Sequence, residues 1–329
     1  MTSVSVIIPT FNNAKTLREC LKSIASQTLK PLEVIISDGH STDGSIEIAK
    51  EFNCTITYEE GGSRSSACNE ALKISKGEIV AFTDSDVIAK EDWLEILVHA
   101  FEGVQDEKIA CITGPNIEYP NESMFGKAVS AVYNTFLGGG WSEQVQSIFN
   151  KERRFVESAA GCNAAYKRTS LDEVLPFNES LITAEDTDIN YRLIQKGYSI
   201  LFVPDAIVFH QRPQNHKSFR NKSKKYALGK VQFYRTHDAG LEIWHLLPPL
   251  YFITGIFLLL PLLVDLLWGW IIIGYYSTYL VAILVSSLVQ TIRFKHPSFL
   301  YLLPLMFIEG HIWWSAGILK EIFNSNSKK

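Results

Sequence analysis

The sequence predicts an α/β domain with a mostly parallel sheet, followed by apolar helices long enough to enter a membrane. Two observations carry this. Short apolar runs alternate with helical patterns along the N-terminal part of the chain. Charge is also unevenly spread. Of the 66 charged residues in 329, 58 lie before Leu246, and residues 246–292 hold one, Asp265.

Val4–Pro9 is a continuous apolar run, as expected for a strand buried on both faces. Ala14–Gln27 places Leu17, Leu21 and Ile24 at helical spacing. Leu32–Ser37 reads as a second strand, Ser45–Phe52 as a helix and Cys54–Tyr58 as a third strand. Ala67–Ser75 is a helix stopped by Gly77, Glu78–Thr83 a fourth strand and Glu91–Phe101 another helix. Ile109–Glu118 and Phe155–Lys167 read as strands, Ala184–Lys196 as a helix closed by Gly197, and Ser199–Val203 as a strand. Such alternation with short connections implies helices on both faces of a parallel sheet, with the ligand site beyond the carboxyl ends of the strands.

A basic stretch follows, with no acid among residues 212–237. Phe219, Tyr226, Ala227, Val231, Phe233 and Tyr234 gather on one side of a helical wheel, opposite most of the cations. That pattern fits a helix lying on an anionic membrane surface; a solvated basic helix is the plainer reading. Leu246–Trp268 and Trp270–Ile292 are each long enough to cross about 30 Å of hydrocarbon. Phe299–Leu319 is a third candidate, interrupted by Glu309 and His311. Arg293 and Lys295 favour a cytoplasmic loop before it, while Lys320, Lys328 and Lys329 favour a cytoplasmic end. One segment could be re-entrant, and the first contains Pro248, Pro249 and Pro261. The expected organisation is a catalytic domain over 1–211, a basic interfacial segment over 212–245, a membrane domain over 246–320 and a tail over 321–329.

The net charge of −4 argues against a nucleic-acid partner. Five scattered cysteines without C-x-x-C spacing point to buried free thiols, not to disulfides or zinc. The N-terminus lacks the charged and apolar regions of a signal peptide, so the catalytic domain is expected in the cytoplasm.

Asp84-Ser85-Asp86 directly follows the strand Ile79–Thr83. Two carboxylates one residue apart at a strand end can meet a hard divalent cation and a nucleotide together. Turn-forming aspartates are the competing explanation. Asp38 ends the second strand and could accept a base N–H, whereas Asp43 suits an Asx turn that caps the next helix. Pro9 and Thr10 end the first strand, where backbone groups could read a base edge. Glu185-Asp186 opens a helix, and Thr183-x-x-Asp186 has the form of a capping box. The same position keeps a carboxylate ionised and able to accept a proton. His210, after the apolar run Ala206–Phe209, is either structural or a nitrogen ligand for a metal.

Together these pieces resemble the family 2 inverting glycosyltransferases of GT-A fold, over residues 3–240. The motifs are Val4-Ser5-Val6-Ile7-Ile8-Pro9-Thr10-Phe11-Asn12, Ser37-Asp38-Gly39-His40-Ser41-Thr42-Asp43-Gly44, Asp84-Ser85-Asp86 and Ala184-Glu185-Asp186. Leu247-Pro248-Pro249-Leu250 and the late Gly310-His311 are similar to the membrane-bound succinoglycan-type glucosyltransferases. The resemblance implies that Pro9, Thr10 and Asp38 hold the base and that Asp84 contacts ribose or metal. It implies Mn²⁺ or Mg²⁺ on Asp86 with His210 nearby, and Asp186 as general base with Glu185 beside it. Gly161, Cys162 and Asn163 would form the loop under the donor sugar and acceptor.

Two departures stand out. The family's frequent Arg-Asn pair before the metal motif reads Cys68-Asn69, with Arg64 available to supply the cation. The Gln-x-x-Arg-Trp signature of processive synthases is absent, which favours addition of a single sugar. The implied partners are a nucleotide-diphosphate sugar, UDP-sugars favoured, a polyprenyl-linked glycan acceptor and membrane lipids. The implied location is the cell membrane, multi-pass. A polyprenyl-phosphate monosaccharide synthase and a catalytically silent nucleotide-binding scaffold are the alternatives.

Overall fold

The computed structural model describes residues 2–103, 108–140, 150–239, 241–259 and 268–324. In chain order it runs β1 (Val4–Thr10), α1 (Ala14–Ala25), β2 (Glu33–Asp38), α2 (Ser45–Glu51), β3 (Thr55–Tyr58), α3 (Arg64–Ile74), β4 (Ile79–Phe82), β5 (Val87–Ala89), α4 (Trp93–Glu102), β6 (Ile109–Thr113) and β7 (Asn116–Glu118). Next come α5 (Met124–Tyr133), α6 (Phe136–Gly139), β8 (Arg154–Val156), β9 (Ala164–Lys167), α7 (Arg168–Asp172), α8 (Glu185–Gln195), β10 (Ser199–Phe202) and β11 (Val208–His210). The chain closes with α9 (His216–His237), α10 (Ile243–Leu258), α11 (Trp268–Phe294) and α12 (Phe299–Ile322). It divides into two compact units, Met1–Glu122 with Phe149–Gln211, and Ser123–Ile148 with Arg212–Lys329. Helices α5 and α6 thus belong with the C-terminal helices, although the sequence reading places them in the catalytic domain.

The first unit is built on an eight-stranded sheet of order β3-β2-β1-β4-β9-β6-β10-β8. β1, β2, β3 and β4 are mutually parallel, while β9 runs antiparallel to both β4 and β6. The apolar run of β1 is explained by helices on both faces. Val6, Ile8, Ile36 and Ala81 pack with Leu17, Leu21, Trp93 and Leu97. Ile7, Ile35, Val80 and Phe82 pack with Cys68, Leu72, Ile189 and Leu193 on the other face. The register sets Thr10 opposite Asp38 and Ile7 opposite Phe82, so three strands end at one edge. Strand order reverses between β1 and β4, the place where open α/β sheets bind ligands.

The Ile109–Glu118 stretch splits. β6 joins the large sheet, and β7 crosses to a small sheet of order β5-β11-β7. Phe155–Lys167 likewise splits into β8 and β9. The small sheet sets His210 opposite Val87, and the Gln211 N–H donates to the Asp86 carbonyl at 3.1 Å. The late histidine is thereby brought beside the acidic motif.

In the second unit α9 and α12 run side by side in the same direction. Phe219, Ala227 and Val231 are buried. A Cβ on Gly317 would lie 2.6 Å from the Lys224 carbonyl oxygen, so only glycine permits this approach. Both acids of α12 are paired to α9: Glu309 with His216 at 2.7 Å and with Arg220, and Glu321 with Arg235 at 3.2 Å. α12 thus covers part of the apolar side read from the sequence: Phe219, Ala227, Val231 and Phe233 are buried, while Tyr226 and Tyr234 stay exposed. By length and composition α11 and α12 are apolar enough to cross a membrane, and α10 is shorter. Asp265 and Pro261 lie outside the described residues.

Candidate active site

Asp84 and Asp86 leave the end of β4 in a turn closed by the Val87 N–H donating to the Asp84 carbonyl at 3.1 Å. Asn13, just before α1, donates from its amide to Ser85 Oγ at 2.6 Å and steadies the turn from the β1 side. His210 Nε2 lies 3.5 Å from Asp86 Oδ1. One ligand atom each from Asp84, Asp86 and His210 fall within 4.8 Å of one another. Two carboxylates and an imidazole this close form a donor set that fits a divalent cation. The small sheet thus adds a nitrogen donor to the two aspartates of the turn. His210→Ala is expected to weaken metal activation by at least about 10-fold, the lower bound for losing even a supporting partner. A Mn²⁺ titration of donor hydrolysis checks this.

Arg64 ties the site together. Ser63 caps α3 by accepting from the Ser66 N–H at 3.1 Å, which starts the helix three residues before the sequence reading has it. Arg64 thus sits in the first turn. Its Nη2 donates to Asp84 Oδ1 at 2.8 Å and to the Gly161 carbonyl at 2.8 Å, and its Nη1 to Glu185 Oε1 at 3.2 Å. A Cβ on Gly161 would lie 2.7 Å from Nη1, so any larger residue there would displace the guanidinium. Burial works against the Arg64 charge, but Asp84 and then Glu185 hold its pKa above the ordinary value. Arg64→Met would leave Asp84 and buried Glu185 without their cation. It is expected to destabilise the fold by roughly 3 kcal/mol, read from denaturant unfolding.

The two neighbouring acids of α8 are unlike. Glu185 is buried, and burial raises its pKa against the pull of Arg64. Asp186 is half-buried. Its Oδ2 accepts from the Gly161 N–H at 2.9 Å, and its Oδ1 from the Thr187 N–H at 2.7 Å. The capping-box expectation fails: the N-cap is Ala184, with no side-chain cap, held left-handed at φ 71°. A non-glycine residue in that region is strained, and such strain gathers at functional sites. Nothing in the sequence marks Ala184 for this. Glu185 stands beside Asp186, as the resemblance implies, with its carboxylate engaged by Arg64.

Asp38 is fully buried, with Oδ2 accepting from the Ser41 N–H at 2.8 Å and Oδ1 without a partner. A buried carboxylate oxygen left unsatisfied is costly and suits a ligand N–H. Pro9 and Thr10 flank it, and the Thr10 carbonyl accepts from the Gly39 N–H at 2.9 Å. Asp43 accepts from the N–H groups of Ser45 at 3.1 Å and Ala14 at 2.9 Å, so it ties two helix starts together.

Asn163 belongs to the loop that the resemblance implies under the donor sugar. It is fully buried. Its side chain accepts from Trp93 Nε1 at 2.8 Å and donates to the Ala206 and Pro115 carbonyls at 2.8 and 3.3 Å. It holds the loop from inside, and Gly161 and Cys162 beside it are buried too, with the Gly161 N–H on Asp186 and the Cys162 carbonyl accepting from Thr83 Oγ1 at 3.1 Å. Cys162 Sγ lies 3.8 Å from His210 Nδ1. Among the cysteines only Cys54 is not buried. Burial pushes the Cys68 thiol up to about 12 despite Arg64, so it is no nucleophile.

The profile of Glycosyl transferase family 2 matches residues 5–175. The dolichyl N-acetyl-alpha-D-glucosaminyl phosphate 3-beta-D-2,3-diacetamido-2,3-dideoxy-beta-D-glucuronosyltransferase of Methanococcus voltae is 26% identical over 338 aligned residues, covering 99% of both chains. Glycosyltransferase AglE of Haloferax volcanii is 32% identical over 254 residues, 74% of each chain. Among solved structures, the mannosyltransferase PcManGT of Pyrobaculum calidifontis, in complex with GDP-Man and Mn²⁺, superposes with a TM-score of 0.59 at 20% identity. It covers 98% of this chain and 88% of its own. The GT-A fold expected from the sequence is borne out. The likeness shows the family and leaves the succinoglycan-type branch as an expectation.

Proposed function

Because the chain belongs to the family 2 glycosyltransferases, we propose that it transfers one sugar from a nucleoside-diphosphate sugar to a lipid-linked glycan, inverting the anomeric carbon. The observation that supports this most is the Asp84, Asp86 and His210 cluster joined to α8 through Arg64.

Asp38 Oδ1 takes the base N–H, with Pro9 and Thr10 beside it; a uracil N3–H fills that role and favours UDP-sugars. Asp84, Asp86 and His210 would hold the metal, and the imidazole nitrogen favours Mn²⁺ over the strictly oxygen-seeking Mg²⁺. A bound divalent cation supplies charge neutralisation of the departing diphosphate. Arg64 holds Asp84 in place and brings a fixed cation to the same region. Asp186 accepts the acceptor hydroxyl's proton while that oxygen bonds to C1 and the C1–diphosphate bond breaks from the opposite face. Gly161 aims Asp186 through its N–H. No covalent sugar–enzyme intermediate forms.

The lipid-linked acceptor is supported by the Methanococcus voltae relative, whose name specifies a dolichyl-phosphate-linked sugar and which matches along the whole chain. The apolar helices of the second unit support a membrane site of action, with the catalytic unit in the cytoplasm. The test is a screen of nucleotide sugars with lipid-linked oligosaccharides, read by mass. A gain of one sugar on the glycan supports the proposal. A sugar attached directly to polyprenyl monophosphate makes it a monosaccharide synthase, and no transfer with any donor overturns it.

A further inference from the structure

We infer that the second unit sits in one leaflet of the bilayer and that none of its described helices crosses. This rests on the membrane site of action proposed above and replaces the multi-pass expectation.

The reason is the pairing of α12 with α9. Contacts run in register from His216, Phe219 and Arg220 against Glu309 and Gly310, through Lys224 against Gly317, to Arg235 against Glu321. Residues 309–321 of α12 therefore lie along α9. Between Lys217 and Arg235, α9 carries seven Lys and Arg residues. Cations are costly at the centre of hydrocarbon even when paired; α9 has no acid of its own, and the two acids of α12 meet Arg220 and Arg235. Wherever α9 is excluded from the core, this part of α12 is excluded too. Only residues 299–308 are clear of it. Ten residues rise about 15 Å, half of the roughly 30 Å core.

α11 is bound to the same depth. Tyr279 OH lies 2.7 Å from His311 Nδ1, and Ile283 packs in one cluster with Leu303, Met306 and Phe307. The two helices are antiparallel, so the first turns of α11 fall at the level of the α9-covered half of α12. α10 folds back on α11, with Tyr251 and Tyr275 rings stacked at 4.4 Å. Standing any of these helices upright would carry α9 into the hydrocarbon.

What remains is an outward apolar face on α10 and α11. Ile256, Phe257, Trp270 and Ile273 are 57–76% exposed. Such a face beside a basic helix fits acyl chains below and anionic headgroups at the level of α9. The occupant is one leaflet of an anionic bilayer.

The test places single cysteines at exposed sites in the full chain: Leu259→Cys, Arg293→Cys and Asn324→Cys, with Lys50→Cys on the catalytic unit as reference. Sealed vesicles are labelled with a membrane-impermeant maleimide from either side, against the unsubstituted chain as background. Arg293→Cys and Asn324→Cys should label from the Lys50→Cys side at least ten times faster than from the other. Leu259→Cys should stay at background from that opposite side. Labelling of any of the three from the opposite side overturns the inference. Trypsin on the unsubstituted chain gives an independent reading: from the opposite side the chain should stay intact, and a fragment overturns it. A protein that washes out of the membrane altogether would instead defeat the membrane placement in the proposed function. Correct products with opposite-side labelling would defeat only the one-leaflet inference.

Discussion

Asp186→Asn is expected to lower kcat by about 10²–10⁴-fold and leave donor affinity nearly unchanged. Asparagine keeps the size of aspartate, and its amide oxygen can still accept from the Gly161 N–H, which lies 2.9 Å from Asp186 Oδ2. What it loses is the capacity to take a proton. Asp186 is not the N-cap of α8, but its Oδ1 accepts from the Thr187 N–H in the first turn at 2.7 Å, so thermal unfolding is what separates this from a folding effect. The measurement is steady-state transfer alongside nucleotide-sugar binding and thermal unfolding of the same preparation. Normal turnover with early melting would return Asp186 to a structural role. Glu185→Gln should behave differently: it disturbs the ion pair with Arg64, so stability should fall with activity.

Asp86→Ala is expected to reduce metal-dependent turnover by about 10³-fold, the effect of removing several kcal/mol of charge stabilisation. Asp86 stands between β4 and β5, with His210 Nε2 3.5 Å from its Oδ1. Alanine leaves two of the three proposed ligands, so higher Mn²⁺ should recover only part of the activity. EDTA should silence the unmodified enzyme, and added Mn²⁺ should restore it. Full activity in EDTA would remove the metal from the reaction.

The parallel part of the large sheet, β1 to β4, was legible because each of its strands carries its own signal. Val4–Thr10 and Ile79–Phe82 are buried apolar runs, and the polar residues that matter follow them directly. Asp38, Asp84 and Asp86 could therefore be placed at strand ends without knowing the partners of any strand. The small sheet was not legible. β5, β7 and β11 have three residues each, too few to show a period, and it is their pairing that brings His210 to Asp86.

Arg64 was readable as a spare cation but not as a clamp. Ser63 begins a run that resembles a loop, and its capping bond to Ser66 is what carries Arg64 into a helix facing Asp84 and Glu185. Asn163 was placed in its loop by resemblance alone, and its anchoring role was not legible. Its three partners, on Trp93, Pro115 and Ala206, are distant in sequence. The basic stretch was likewise legible only in part. A helical wheel shows an apolar side but not what covers it, and the cover, α12, comes much later in the chain.

The most direct test is transfer by the full-length protein in anionic vesicles, with Mn²⁺ and its nucleotide sugar, to one glycan offered free or polyprenyl-linked. Both products are read by mass, together with released nucleoside diphosphate. The expected result is one sugar added per lipid-linked glycan, with one nucleoside diphosphate released, and far slower transfer to the free glycan. Equal transfer to both forms would contradict a lipid-linked acceptor and leave the C-terminal helices as an anchor alone.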